Sequence, residues 1–181
     1  MNTTTRPDTR TRLLDEAEAR MRTSGFHMVS FRDLADAIGI KSASVHYYFR
    51  TKEDLARALV RRYSDGFFET LRGHQASGKS PVDAFVQTYL DAYAENGRGC
   101  LCGLLGAETN GLPDAVSVDV ARFLQENLDW VSSNLPAGWS SDHRREAAAQ
   151  ILASLQGAMM LAVSLDDPGI LDAVATGIVA P

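Results

Sequence analysis

Two runs in this chain bring reactive or hydrogen-bonding side chains together at short intervals. The first is Ser42-Ala43-Ser44-Val45-His46-Tyr47-Tyr48-Phe49, followed closely by Lys52-Glu53-Asp54-Leu55. On a short helix, small residues at the start permit close approach to the floor of a DNA major groove. Hydroxyls and an imidazole then supply hydrogen bonds to base edges or phosphates. The second run is Arg98-Gly99-Cys100-Leu101-Cys102-Gly103. A thiol at a helix start ionises more readily, because the helix dipole favours the thiolate and a nearby Arg adds to that. Cys100 sits nearer the predicted helix start than Cys102. The competing reading of either thiol is a small buried apolar side chain. Two cysteines at i, i+2 seldom bridge, which fits a reducing cytoplasm.

Other chemistries find little support. His27, His46, His74 and His143 show no metal-ligand spacing, and one Cys-x-Cys is weak for zinc. No nucleophile-base arrangement and no phosphate loop after a strand stands out, so no catalytic residue, metal or cofactor is expected. Glu108, Glu126 and Asp129 read as a solvated face.

The segments around both runs, and the rest of the chain, read as helices. A first helix over 9–24 carries Leu14, Ala17 and Met21 on one stripe and stops at Gly25. Ser30 caps a second, with Asp33 at its third position, and Gly39 ends it. A third covers 42–48. Thr51, with acids behind it, starts a long fourth helix, and the polar run 74–80 breaks the chain. Ser80-Pro81 starts a fifth that reaches about Asn96. A sixth runs from Cys100 to about Thr109, a seventh starts at Pro113, a loop covers 136–141, an eighth covers 142–165, and a terminal helix reaches about Val179. Residues 1–8 read as a disordered arm, whose Arg6, with Arg10 and Arg12 beyond it, would reach phosphates or stay solvated.

The 181 residues carry a net charge of −5, which alone argues against a nucleic-acid partner. The distribution argues otherwise: residues 1–65 hold 12 Lys+Arg against 9 Asp+Glu, and residues 66–181 hold 6 against 14. A basic front on an acidic back suits a molecule of which one end approaches phosphates. Residues 147–165 hold no charge and reach the length of a membrane span. Gln150, Ser154, Gln156, Gly157 and Ser164 within them favour a helix buried on two sides. No membrane partner is expected, and the location implied is cytoplasmic.

Residues 31–55 spell two short helices joined at Gly39, locked by Leu34, Ile38, Ile40 and Val45. That is a helix-turn-helix pattern. With the run from Ser42 to Phe49 and the Lys52-Glu53-Asp54-Leu55 start, this stretch resembles the TetR family of transcriptional regulators. The resemblance covers about residues 9–65. It departs at Lys41, where the family often has a Ser cap, and at His46, where Tyr is common. The stretch from Gly99 to Glu108 is similar to the sixth-helix start of a branch that includes electrophile and oxidant sensors.

The resemblance implies an all-α fold of about nine helices. It implies a three-helix DNA-binding domain over 9–54 and a helical ligand-binding and dimerisation domain over 55–181. It implies a homodimeric repressor, not an enzyme, released from a near-palindromic double-stranded operator by an unknown small molecule or thiol-reactive signal. The DNA-facing set expected is Ser30, Arg32, Lys41, Ser42, Ala43, Ser44, His46 and Tyr47, with Lys52 on a phosphate. Ligand-lining candidates are Phe85, Tyr89, Cys100, Phe123 and Met159, each also readable as core. The eighth helix, apolar on most sides, implies a partner chain, with Ile151, Leu155, Ala158, Ala162 and Leu165 as the interface. The alternatives are a thiol-dependent redox protein, or a helical interaction module without DNA binding.

Overall fold

The computed structural model describes residues 8–178. The arm over 1–7, with its Arg6, and the end of the last helix at Val179 lie outside the described residues. Among the described residues there are nine α-helices and no strand. They are α1 (Thr9–Ser24), α2 (Phe31–Ile38), α3 (Ser42–Tyr48), α4 (Lys52–Ala76), α5 (Pro81–Asn96), α6 (Leu101–Ala107), α7 (Asp114–Ser133), α8 (Ser141–Leu165) and α9 (Gly169–Gly177), with a 3-10 turn at Thr109–Gly111.

Local chemistry sets most of the boundaries. The Asp8 carboxylate accepts the Thr11 N–H at 2.8 Å, so Asp8 is the cap of α1 and not part of an arm. That backbone hydrogen bond holds its pKa below the usual carboxylate value. Ser30 and Ser80 cap α2 and α5 in the same way, and Thr51 and Asp54 form a reciprocal capping box on α4. Gly39 takes φ +73 so that the Ile40 N–H can return to the Ala35 carbonyl at 3.0 Å. A β-carbon is disfavoured in that conformation, so the tight turn requires glycine. Several boundaries differ from the sequence expectation, among them the starts of α6 and α7, each one residue later because Cys100 and Pro113 are the caps. α4 continues to Ala76, taking His74 into the helix, where its ring pairs with Asp91 of α5 at 2.7 Å. α6 ends at Ala107 and tightens into the 3-10 turn, and α8 starts one residue early, at Ser141.

One continuous core runs through the chain, and α4 joins its two ends. Leu13, Leu14, Ala17 and Met21 of α1 pack with Leu34, Val45, Phe49 and the start of α4. Further along α4, Phe67 meets Phe68, Phe85, Tyr89 and Phe123 at ring distances of 5.2 to 6.1 Å. α8 packs on α7 and α9. By length and composition α8 could cross a membrane, but its buried stripe of Ala148, Leu152, Leu155, Ala158 and Ala162 faces the protein's own interior.

Candidate nucleic-acid interface and effector region

α3 is seven residues long, and of these only Val45 is fully buried. Val45 and Phe49 anchor the back of the helix, as Leu34 and Ala35 anchor α2. Ser42, Ala43, Ser44, His46 and Tyr47 are exposed, Tyr47 at 84 %, as are Ser30, Arg32 and Lys41. Eight of the nine expected DNA-facing residues therefore share the free surface of α2 and α3. Lys41 supplies no side-chain cap to α3, which leaves its ammonium to solvent or a phosphate. His46 is braced: its ring lies edge-on to Phe31 at 4.9 Å and its Nδ1 lies 3.3 Å from the Arg50 carbonyl.

The ninth, Lys52, is placed differently. Its Nζ donates to the His27 carbonyl at 3.1 Å and stands 4.6 Å from the centre of the Phe26 ring. Lys52 thus ties the start of α4 to the α1–α2 loop as well as lying at a helix start. Arg10 stacks over Phe49, and Arg12 donates to the Ile38 carbonyl. These two arginines brace the domain from α1.

Among the described residues, two cavities of ligand size border the helices that follow α3. The larger, about 610 Å³, lies among α1, α4 and α5 and is lined by Asp15, Glu18, Asp91 and Glu95, with Arg62, Tyr63 and Phe67. Arg62 pairs with Asp15 at 2.7 Å and with Glu18 at 2.8 Å. The second, about 480 Å³, is a groove walled by α6, α7 and α8, with Leu104, Val120, Leu124 and Met160 along it. Of the five expected ligand-lining residues, Cys100 alone borders either of these two cavities. Phe85, Tyr89, Phe123 and Met159 are at most 1 % exposed, line neither cavity, and belong to the core. The correction follows from aromatic clustering: each of the three rings is consumed by Phe67 or its neighbours.

The thiols are turned inward. Cys100 is 2 % exposed and caps α6, its Sγ accepting the Gly103 N–H and the Tyr63 hydroxyl at 3.2 Å. Cys102 is fully buried, and burial pushes its thiol well above the ordinary value, with the neighbouring Cys100 adding to the shift. Arg98 donates to the Ala19 carbonyl. Burial likewise pushes the phenols of Tyr63 and Tyr89 upward.

The expected interface residues also need correction. Leu155, Ala158 and Ala162 form the buried stripe of α8, and Ile151 is half-buried; only Leu165 is free. The unpartnered apolar side of α8 carries Met160, Leu161, Val163 and Leu165, with Met160 59 % and Leu165 63 % exposed. Sequence reading fails here because α8 is apolar nearly all round, so periodicity cannot say which stripe faces home.

Two residues outside the expected set matter to the geometry. Asp119, buried on α7, bonds Arg57 of α4 at 2.7 Å, and its second oxygen lies 3.0 Å from Arg122, a charge contact without hydrogen-bond alignment. Burial raises its pKa, but the Arg57 hydrogen bond and charge outweigh that, and the net position is below the usual value. Glu108 is not part of a solvated face: its Oε2 accepts the Phe26 N–H at 3.0 Å across 82 residues of chain. Nothing in the local spacing announces a contact over that separation.

A model of the family described as bacterial regulatory proteins, tetR family, matches residues 13–59. The HTH-type transcriptional repressor KstR2 of Rhodococcus jostii (strain RHA1) is 35% identical over 86 residues, 46% of this chain and 42% of that protein. The transcriptional regulator AcuR of Cereibacter sphaeroides is 30% identical over 137 residues, 70% of this chain and 63% of that protein. The chain thus spans less than two thirds of the length of these curated relatives. Among solved structures, a TetR transcriptional regulator from Legionella pneumophila superposes with a TM-score of 0.87 at 28% identity, over 96% of this chain and 97% of that one.

Proposed function

We propose that this chain, a TetR-family protein in its N-terminal domain and its fold, is a DNA-binding transcriptional regulator that represses from a near-palindromic operator. The observation that carries this reading is α3 itself. It is a short helix pinned from behind by Val45 and Phe49, with hydroxyl and phenol groups exposed on its outer face beside the braced His46 imidazole. Such a face fits a major groove, whose edges offer donors and acceptors at side-chain reach. Arg32 and Lys41 flank it and would set the register on phosphates.

A second copy of the chain covers the free apolar side of α8 in this reading. Two recognition helices then sit about 34–36 Å apart, the spacing of successive major grooves. The protein works in the cytoplasm, performs no catalysis of its own, and leaves DNA when an effector occupies the C-terminal half. The burial of both thiols favours a non-covalent effector over a thiol switch.

Retention of genomic fragments by the purified chain, followed by sequencing of what is retained, tests the reading. The expected result is a two-fold-related motif whose binding weakens steeply with salt. Retention that ignores salt and sequence, or none at all, overturns it.

A further inference from the structure

We infer that the groove among α6, α7 and α8 is the effector site, that it takes an uncharged, largely apolar small molecule, and that Glu108 carries its occupancy to the helix-turn-helix. The inference rests on the regulator reading above and names the ligand class and the linkage.

The lining chemistry selects the ligand. Among the described residues no charged side chain borders the groove, and its walls are Leu104, Val120, Leu124 and Met160. An ionised ligand would lose water there without gaining a partner, which is costly. An apolar one gains by burial in proportion to its area. Glycines make the space: a β-carbon at Gly157 would meet nothing within 4 Å. One polar group is fixed at the floor. Gln156 donates from its amide nitrogen to the Tyr89 hydroxyl at 3.1 Å, which holds its oxygen against Gly103 as an acceptor. The larger cavity among α1, α4 and α5 is unsuited to such a molecule, because an apolar occupant would strip water from four carboxylates.

The wall of the groove is also the element tied to the DNA-binding domain. Both ends of α6 are fastened to the end of α1. Before it, the Gly99 carbonyl accepts the Arg22 guanidinium. After it, the Glu108 carboxylate accepts the Phe26 N–H. The approach is close enough that a β-carbon at Gly25, which already takes φ +78, would collide with that carboxylate. Phe26 and His27 are in turn held by Lys52 at the start of α4. A ligand that displaces α6 therefore displaces the loop from which α2 is launched. Glu108 does not line the groove, so it acts on linkage and not on binding.

N-phenyl-1-naphthylamine is uncharged and fluoresces in apolar surroundings; 8-anilinonaphthalene-1-sulfonate is the same ring system with a sulfonate. The full chain should bind the first at least about tenfold more tightly than the second, and Ala121→Trp and Gly157→Val, which fill the groove from α7 and α8, should each weaken it by about tenfold or more. Equal binding of the two dyes, or binding untouched by both substitutions, overturns the site. Hydrogen exchange then reads the linkage. The uncharged dye should change exchange across residues 26–48 in the wild type. Glu108→Ala, and Gly25→Ala from the other side, should bind the dye normally and lose that response. Glu108→Gln, which keeps an oxygen acceptor, should retain it. A response that survives Glu108→Ala or Gly25→Ala, or is absent from the wild type, overturns the route. Neither readout uses DNA, so failure here leaves the operator reading standing, and failure to retain DNA leaves the groove standing.

Discussion

The two ends of this chain present their working residues in opposite ways. In α2 and α3 the polar groups point out and a few apolar residues hold them from behind. In α6, α7 and α8 the chemistry-bearing groups point in: Cys100, Cys102, Asp119 and Asn127 are buried, while apolar Leu104, Met160, Leu161 and Leu165 are left at the surface. A polar outer face on a rigid short helix suits a fixed, hydrated partner such as DNA. An apolar outer face beside a groove suits partners that exclude water, namely a second copy and a small molecule. On the proposed function, one chain divides recognition by solvent: wet at the front, dry at the back.

The largest effect should come from setting the two sides of α8 against each other. Ala158→Glu places a charge in the buried stripe and should cost several kcal/mol, on the order of the whole stability of a domain. Leu161→Glu, on the free side, should leave the melting temperature nearly unchanged but sediment as monomer. Its operator affinity should fall by about 10²–10⁴, because two half-sites are no longer linked. A folded Ala158→Glu dimer would break the comparison at its base. At the front, Tyr47→Ala should lose about 1–3 kcal/mol of operator binding with the fold and the salt slope intact. Binding unchanged in Tyr47→Ala would move the recognition surface off α3.

The front of the molecule is largely legible in its sequence. The caps at Ser30 and Thr51, the stop at Gly39 and the polar face of α3 follow from residues close along the chain, as does the Ser80 cap of α5 further back. These are local rules, and local rules survive folding. The features that sequence does not reveal depend on separation or on degeneracy. Glu108 reaches Phe26 across 82 positions, and Asp119 reaches Arg57 across 62. Aromatic residues expected to line a pocket instead pack on Phe67, since nothing in periodicity separates a core ring from a lining ring. Leu155, Ala158 and Ala162 read as outward-facing because α8 offers apolar residues in nearly every direction.

Next in size is the ion pair between half-exposed Arg57 of α4 and buried Asp119 of α7. Asp119→Asn should destabilise by about 1–2 kcal/mol, because the Arg57 N–H then meets a neutral amide oxygen in place of a carboxylate. The pH dependence has a definite sign. The folded-state pKa of Asp119 lies below its unfolded value, so its contribution is full above the ordinary carboxylate range. It is lost as pH falls through the depressed folded value. The wild type should therefore show a steeper acid limb in melting temperature than Asp119→Asn, and parallel limbs would refute the pairing. Lys52→Ala should be smaller, about 1 kcal/mol of stability from the bond to the His27 carbonyl. It should also flatten the salt slope by about one unit through a lost phosphate contact. An unchanged melting temperature would leave Lys52 to phosphate alone.

The smallest effect on stability, and the most direct test of the inward-facing back, concerns the thiols. Cys102 is fully buried and its thiol is held protonated by desolvation, with Cys100 as a second cause. The thiolate is the nucleophile, so a raised pKa and lack of access both slow alkylation. Cys100 is nearly as buried, but its side chain borders the groove among α6, α7 and α8. Iodoacetamide at neutral pH should therefore leave Cys102 unlabelled in the native chain and modify Cys100 slowly, by way of the groove. N-phenyl-1-naphthylamine should protect Cys100 further by occupying the approach to it. Cys100→Ser keeps a capping atom at the start of α6, so its melting temperature should stay close to that of the wild type. Mass spectrometry of peptides from the alkylated native chain decides the matter. Rapid labelling of Cys102 in folded protein would mean that the back of the molecule opens to water, and the contrast between its two ends would fail.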